Sequence, residues 1–214
     1  MKEKGEYLSM NNLGIINEVK TDCKAIAFTF DDGPNPLYTK QLLEIFQQVS
    51  GKATFFMIGE QMEKHPEVVA EVYEQNHEIG NHTFTHPGLT KLSGEECYLE
   101  LEKTEKLITQ LTGKKPVLFR PPYIDYNEET KKIVDRFQYK TIGALNGDAL
   151  DWEQPGVEFI VKKTKGHIRN GSILIFHDGF GDRSQSIEAV RLLVAELVEE
   201  GYQLVTVSEL LSNR

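Results

Sequence analysis

Seven short, near-continuous apolar runs alternate with helix-patterned stretches along this 214-residue chain. The runs fall at residues 24–30, 53–58, 78–81, 117–120, 139–145, 172–176 and 203–207. A strand that is apolar on both faces must be covered on both faces. Strands separated by helices return in the same direction, so the pattern predicts a parallel sheet wrapped in helices. An open doubly wound sheet and a (β/α) barrel both satisfy it. Polar motifs separate the two. Asp31-Asp32, Arg120 with Pro121-Pro122-Tyr123, Asp148 to Trp152, and His177-Asp178 each follow a different apolar run. A barrel gathers all its strand ends at one mouth, whereas an open sheet concentrates chemistry at one switch point. The dispersed motifs favour a barrel of about seven parallel strands with outer helices.

The helical stretches carry their own punctuation. Leu42, Phe46 and Val49 share one face. Cys97, Leu101, Thr104, Ile108 and Leu111 share another, behind Ser93-Gly94-Glu95-Glu96, a capping-box pattern. Ile187, Val190, Val194 and Leu197 precede Gly201, placed to end a helix in the left-handed region.

Composition narrows the function classes. Net charge is −9 and Lys and Arg form no stripe, which argues against a nucleic-acid partner. No run approaches the ~18 apolar residues of a membrane span. The first 22 residues lack the apolar stretch of a signal peptide, so the chain as written is expected to stay where it is made. The organisation reads as a short N-terminal segment, 1–21, and a single domain, 22–214. The two cysteines, Cys23 and Cys97, are expected to be buried free thiols. Nothing in the sequence indicates an oligomeric state.

The chemistry-bearing residues cluster by type. His82 and His86 lie four apart, a spacing at which both rings can reach one ion. Asp31 and Asp32 end an apolar run, and adjacent carboxylates there need a cation or a raised pKa. Together they offer an oxygen ligand, two nitrogen ligands and a spare carboxylate for a divalent metal with an open position. Taken alone, each pair also reads as something plainer: a chance His spacing, or a turn leading into Gly33-Pro34. Arg120 follows a strand and precedes two prolines that stiffen the backbone. It suits either a structural salt bridge or a guanidinium clamp that orients a catalytic carboxylate. The Tyr123 N–H, after that rigid pair, is a candidate oxyanion donor. His177 titrates near neutrality at a strand end. Asp151 could orient it, and Trp152 could wall a sugar-binding groove. His65, His77 and His167 read as structural.

Taken in order, these segments resemble the polysaccharide deacetylases with a NodB-homology domain, carbohydrate esterase family 4. Thr29-Phe30-Asp31-Asp32-Gly33-Pro34 looks like the first family motif, and His82-Thr83-Phe84-Thr85-His86 like the second. Arg120-Pro121-Pro122-Tyr123 looks like the third, Asp148-Ala149-Leu150-Asp151-Trp152 like the fourth, and Ile175-Phe176-His177 like the fifth. The resemblance spans about residues 22 to 210. It implies a distorted, often incomplete (β/α) barrel, and N-acetylated glucosamine polymers or oligomers, of peptidoglycan or chitin type, as substrates. It implies a divalent metal, zinc first with cobalt or nickel as alternatives, held by Asp32, His82 and His86. Asp31 would be the base and His177 the acid, with Arg120, Asp151 and Tyr123 assisting. Trp152, Ile175 and Pro121 would contact substrate, Ile175 in the pocket for the acetyl methyl.

Such proteins are mostly secreted or envelope-associated, in contrast to the missing signal peptide here. Three positions depart from the family pattern: Ile175 where Leu is usual, Ile124 where Gly is common, and Asn76 where Gly is frequent. Two other functions fit the same parts. One is a related metal-dependent hydrolase acting on another small C–N bond. The other is a non-catalytic carbohydrate-binding homologue.

Overall fold

The computed structural model describes residues 13–212, so the first twelve residues of the expected N-terminal segment lie outside it. All seven expected strands form: β1 (Ala25–Asp31), β2 (Thr54–Met57), β3 (Glu78–Asn81), β4 (Leu118–Phe119), β5 (Lys140–Thr141), β6 (Ile173–His177) and β7 (Gln203–Leu204). Every pairing among them is parallel. The order is β5-β4-β3-β2-β1-β6, with β7 attached to β1 at Ala25 and Ile26. Around the sheet run α1 (Tyr38–Gln48), α2 (Gly59–Lys64), α3 (Pro66–Glu74), α4 (Gly94–Thr112), α5 (Glu128–Arg136), α6 (Val157–Lys165), α7 (Ser184–Glu199) and α8 (Val207–Ser212). The expected caps are present. Ser93 and Glu96 form a reciprocal capping box at α4, and Gly201 follows α7 with φ 85°.

The barrel is incomplete between β5 and β6. The expected run 139–145 yields only a two-residue strand, because beyond Thr141 no further strand lies alongside it. The chain before β1 crosses the gap instead. Ile16 bridges to Ile142 and Glu18 to Ser172, and Gly143 N–H donates to Ile16 O at 2.9 Å. Backbone groups at the opening are thereby satisfied without a closing strand.

Side-chain alternation divides the core. Ile26, Phe28 and Phe30 of β1 point outward and pack with Phe46 of α1 and Phe176 of β6 beneath the helices. Ala25, Ala27, Phe56, Leu118 and Ile173 point inward, where Val207, Leu210 and Leu211 of α8 plug the lower end. Gly80 of β3 lacks a Cβ that would sit 2.5 Å from the Phe56 ring. The same period of two carries the inward face to Asp31 on β1, to Arg120 after β4 and to His177 on β6. Asp31 is in register with His177.

Cys97 is buried in the cluster between α4, β4 and α5, as expected. Cys23 is not: it is exposed, because β1 begins only at Ala25 and Cys23 lies in the bend before it, its N–H on Thr21 Oγ1. Both thiols are free. Among the described residues no helix is long and apolar enough to cross a membrane.

Candidate active site

Successive strand residues point to opposite faces, so two adjacent acids entering one site require a break in the strand. Asp32 supplies it by adopting φ 74°. Gly179 lets this turn close, since a Cβ there would lie 1.9 Å from Asp32 O. The two carboxylates then part company. Asp31 Oδ1 accepts from Arg120 Nη1 at 2.7 Å, while Asp32 Oδ1 faces His86 Nε2 at 3.1 Å and His82 Nε2 at 3.5 Å.

Asp32 Oδ1 is buried and makes no hydrogen bond. His82 explains why. Its Nδ1 lies 2.7 Å from Arg120 O, and a carbonyl can only accept, so that nitrogen carries the proton. The Nε2 lone pair is left facing a carboxylate oxygen. Two acceptors at this distance repel unless a proton or a cation lies between them. One ligand atom from each of Asp32, His82 and His86 lies within 4.8 Å of the others, as shared coordination of one ion requires. An oxygen and two imidazole nitrogens, with the remaining directions open to the cleft, suit a divalent metal that keeps positions for water and substrate. Burial alone would raise the Asp32 carboxyl. The His82 and His86 contacts outweigh it and hold the group well below the usual carboxylate range.

Arg120 is completely buried, and each of its three nitrogens donates a hydrogen bond. Nη1 also donates to Thr29 Oγ1 at 2.8 Å, Nη2 to Gly143 O at 2.7 Å and Nε to Ile142 O at 3.2 Å. Its plane lies over the Phe56 ring, 4.3 Å from the centroid. A guanidinium held this way fixes the direction of the Asp31 carboxylate. Asp31 Oδ2 stays on the side of the histidine pair, 3.7 Å from His82 Nε2.

Across the mouth, His177 Nδ1 lies 2.8 Å from Asp151 Oδ1. Asp151 is itself fixed, its Oδ2 accepting from His177 N–H and from Ser186 Oγ, each at 2.8 Å. Burial works against the charged His177 ring. The Asp151 carboxylate, with Asp31 and Asp32 behind it, more than compensates and pushes the ring up to about 9.

Trp152 meets His177 edge to face at 5.2 Å. Trp152, Ile175, Pro121 and Tyr123 line a cleft of ≈ 630 Å³ above Asp31, Asp32, His82, His86 and His177. Tyr123 Oη is 3.2 Å from His86 Nδ1. Of the fourth motif, Asp148 stays outside: it is exposed and pairs with His167 at 2.7 Å and Lys163 at 3.2 Å. His77 is structural, its Nδ1 accepting from Ala53 N–H at 3.0 Å.

Two of the departures from the family pattern prove conformational. Asn76 and Ile124 both keep left-handed backbones, φ 60° and 54°. For a β-branched residue this costs on the order of 1–3 kcal/mol, so the surroundings of the 120–125 turn impose it. Left-handed residues crowd this mouth: Asp32, Thr83, His86, Tyr123, Ile124, Leu150 and Phe180.

Four participants were not among the expected site residues. Phe180, 47% exposed, lines the cleft beside His86, its ring 5.8 Å from that of His86. Arg183 ties the two sides together through Gly179 O at 2.7 Å and Trp152 O at 3.2 Å. Asp178 is wholly buried under the Asp31–Gly33 turn, with its Oδ1 unpartnered. Burial, with Asp32 and Asp31 adding to it, raises its carboxyl to about 7 despite the hydrogen bond from Thr39. Glu100 of α4 accepts from the Phe84 and Thr85 N–H groups. Only the Asp178 position beside a catalytic-looking His was visible beforehand.

The sequence profile of the family described as polysaccharide deacetylase matches residues 18–142. A peptidoglycan-N-acetylglucosamine deacetylase of Bacillus cereus is 40% identical over 195 residues, which cover 91% of each chain. Among solved structures, a peptidoglycan N-acetylglucosamine deacetylase in complex with a naphthalenyl N-oxidanyl-benzamide superposes with a TM-score of 0.89. It is 28% identical, over 97% of both chains. A CE4 family pseudoenzyme from Bacillus anthracis superposes with a TM-score of 0.84 at 30% identity, over 92% of this chain and 69% of that one.

Proposed function

This chain belongs to the polysaccharide deacetylase family, and on that premise we propose that it is a metal-dependent hydrolase removing acetyl groups from N-acetylglucosamine residues of a peptidoglycan- or chitin-type glycan. The fold alone would not support activity, since a pseudoenzyme shares it. One observation carries the reading. Asp32 Oδ1, His82 Nε2 and His86 Nε2 converge without hydrogen-bonding one another, while Asp31 is held apart by Arg120.

Asp32, His82 and His86 would hold the cation, zinc first, with cobalt or nickel as alternatives suited to the same donors. When bound, it supplies Lewis-acid polarisation of the amide carbonyl and makes water more acidic. Asp31, aimed by Arg120, accepts the proton of the attacking water through Oδ2. The Tyr123 N–H, on its left-handed turn, donates to the oxygen that gains charge as water adds to the carbonyl carbon. His177 protonates the departing nitrogen as the C–N bond breaks, which leaves acetate and a free amine. Asp151 keeps that ring cationic and turned toward the cleft. Ile175 and Trp152 face the acetyl group and the sugar.

The test is to incubate metal-loaded protein with N-acetylglucosamine oligomers of increasing length and follow loss of acetyl mass by mass spectrometry. Stepwise deacetylation that stops on chelation is expected. Oligomer binding without acetate release would favour the non-catalytic reading instead. Turnover of small amides but of no sugar oligomer would favour a hydrolase of another C–N bond.

A further inference from the structure

The turn between His82 and His86 is built on two left-handed residues, Thr83 (φ 67°) and His86 (φ 62°). It is held from outside. Its carbonyls, Thr83 O and Phe84 O, accept from Gly59 and Glu60 N–H at the start of α2, both at 3.0 Å. The Phe84 and Thr85 N–H groups both point at one oxygen, Glu100 Oε2, at 2.8 Å. The Thr85 hydroxyl donates to the other, Glu100 Oε1, at 2.9 Å. Among the described residues no Lys or Arg forms an ion pair with Glu100. The nearby Lys103 ammonium lies over the Phe84 ring, 3.7 Å from its centroid. Three donors of a single turn therefore answer this carboxylate.

The two imidazoles depend on the turn unequally. His82 is anchored independently through Arg120 O at 2.7 Å. Among the described residues the His86 ring has one polar side-chain contact besides Asp32, Tyr123 Oη at 3.2 Å, from a residue that is itself 75% exposed, and it packs against the rings of Tyr123 and the half-exposed Phe180. His86 lacks an anchor like that of His82, so its direction leans on its backbone, one residue past the atoms that Glu100 holds.

We propose that Glu100 is a positioning residue for the cation site: by holding the Phe84–Thr85 backbone it presets His86, and so sets metal affinity from a helix that donates no ligand. This rests on the reading that Asp32, His82 and His86 bind a divalent cation. Groups that orient metal ligands typically affect affinity 10- to 100-fold. A turn that is only partly populated in its binding conformation weakens apparent affinity by that fraction.

The experiment titrates Zn²⁺ into the full chain against a chromophoric chelator, without glycan, for wild type, Glu100→Ala and Glu100→Gln, with the Co²⁺ absorption spectrum as a second readout. Thermal midpoints of the metal-free proteins are recorded alongside. Glu100→Ala is expected to raise the Zn²⁺ Kd about 10- to 100-fold and to alter the Co²⁺ spectrum. Glu100→Gln keeps an oxygen for both N–H groups and can donate to the Thr85 hydroxyl, so it should restore affinity to within about threefold. A lowered midpoint with unchanged Kd in Glu100→Ala would make Glu100 a brace of the fold and overturn the proposal. Equal weakening in both variants would also overturn it, since charge rather than positioning would then be at work. If Glu100→Ala fails to fold, Thr85→Val, which deletes one of the three donors, takes its place with an expected rise of about threefold or more; an unchanged Kd there counts against the proposal. Absence of metal binding in wild type would remove both this inference and the functional reading beneath it. Tight wild-type binding with insensitive variants would remove this one alone.

Discussion

Replacing Asp151 by Asn tests the most finely arranged part of the site. Asp151 Oδ2 receives two donors, His177 N–H and Ser186 Oγ, and Oδ1 faces His177 Nδ1. The backbone N–H cannot reorient, so an Asn must place its carbonyl oxygen there. Its NH₂ then faces His177 Nδ1, where it donates to the lone pair of a neutral ring and opposes the cation. With the carboxylate gone, burial is free to act, and the ring should fall from about 9 toward its ordinary 6.5. That difference corresponds to roughly 3 kcal/mol between the charged and neutral ring. The consequence depends on pH in a defined direction. At pH 8 about 90% of a ring titrating near 9 is protonated, against about 3% of one near 6.5, a loss of roughly 30-fold in available acid. At pH 6 both are mostly protonated and the loss is under about 1.5-fold. Because the acid must be protonated to act, the fall of kcat/KM with rising pH should begin at lower pH in Asp151→Asn. The assay is acetate release from an N-acetylglucosamine oligomer between pH 5 and 10. A variant whose alkaline limb coincides with wild type, or that loses equally at pH 6 and pH 8, would show that Asp151 does not keep His177 charged.

Three further outcomes are expected. Asp31→Asn should retain bound metal, measured by elemental analysis, yet lose at least ~100-fold in rate, the usual scale of general-base catalysis; near-normal turnover would remove Asp31 from that role. His82→Ala should abolish stoichiometric metal in purified protein, and full occupancy in that variant would refute the ligand assignment. Asp178 holds its proton in the folded state up to about pH 7, whereas an unfolded chain releases it near 3.8. Its contribution therefore favours the fold at low pH and is lost as pH rises through that interval. Asp178→Asn should gain in thermal midpoint relative to wild type between pH 5 and pH 8 in metal-free protein, and a constant difference would contradict the reasoning.

Much of this architecture could be read along the chain, for a local reason. Apolar runs and helix punctuation are short-range chemistry, so all seven strands, the Ser93 capping box and the Gly201 stop were legible. Strand alternation likewise sends Asp31, Arg120 and His177 inward together. The exposed Cys23 was misjudged by two residues of strand boundary. Phe180, Arg183 and Glu100 belong to no spacing that chemistry demands, and only folding brings them to the mouth.

Only the family resemblance, and no property of the residues themselves, divided the labour between the two adjacent acids at the level of sequence. Side by side in the chain, Asp31 and Asp32 are chemically identical. What separates them is a left-handed kink at Asp32, the close approach of Gly179, and a guanidinium delivered 89 residues later. The chain's order settled which side chains were available and on which face each strand would show them. Strand register and turn geometry decided which met a histidine pair and which an arginine, because those depend on how distant segments pack rather than on any residue's own preference.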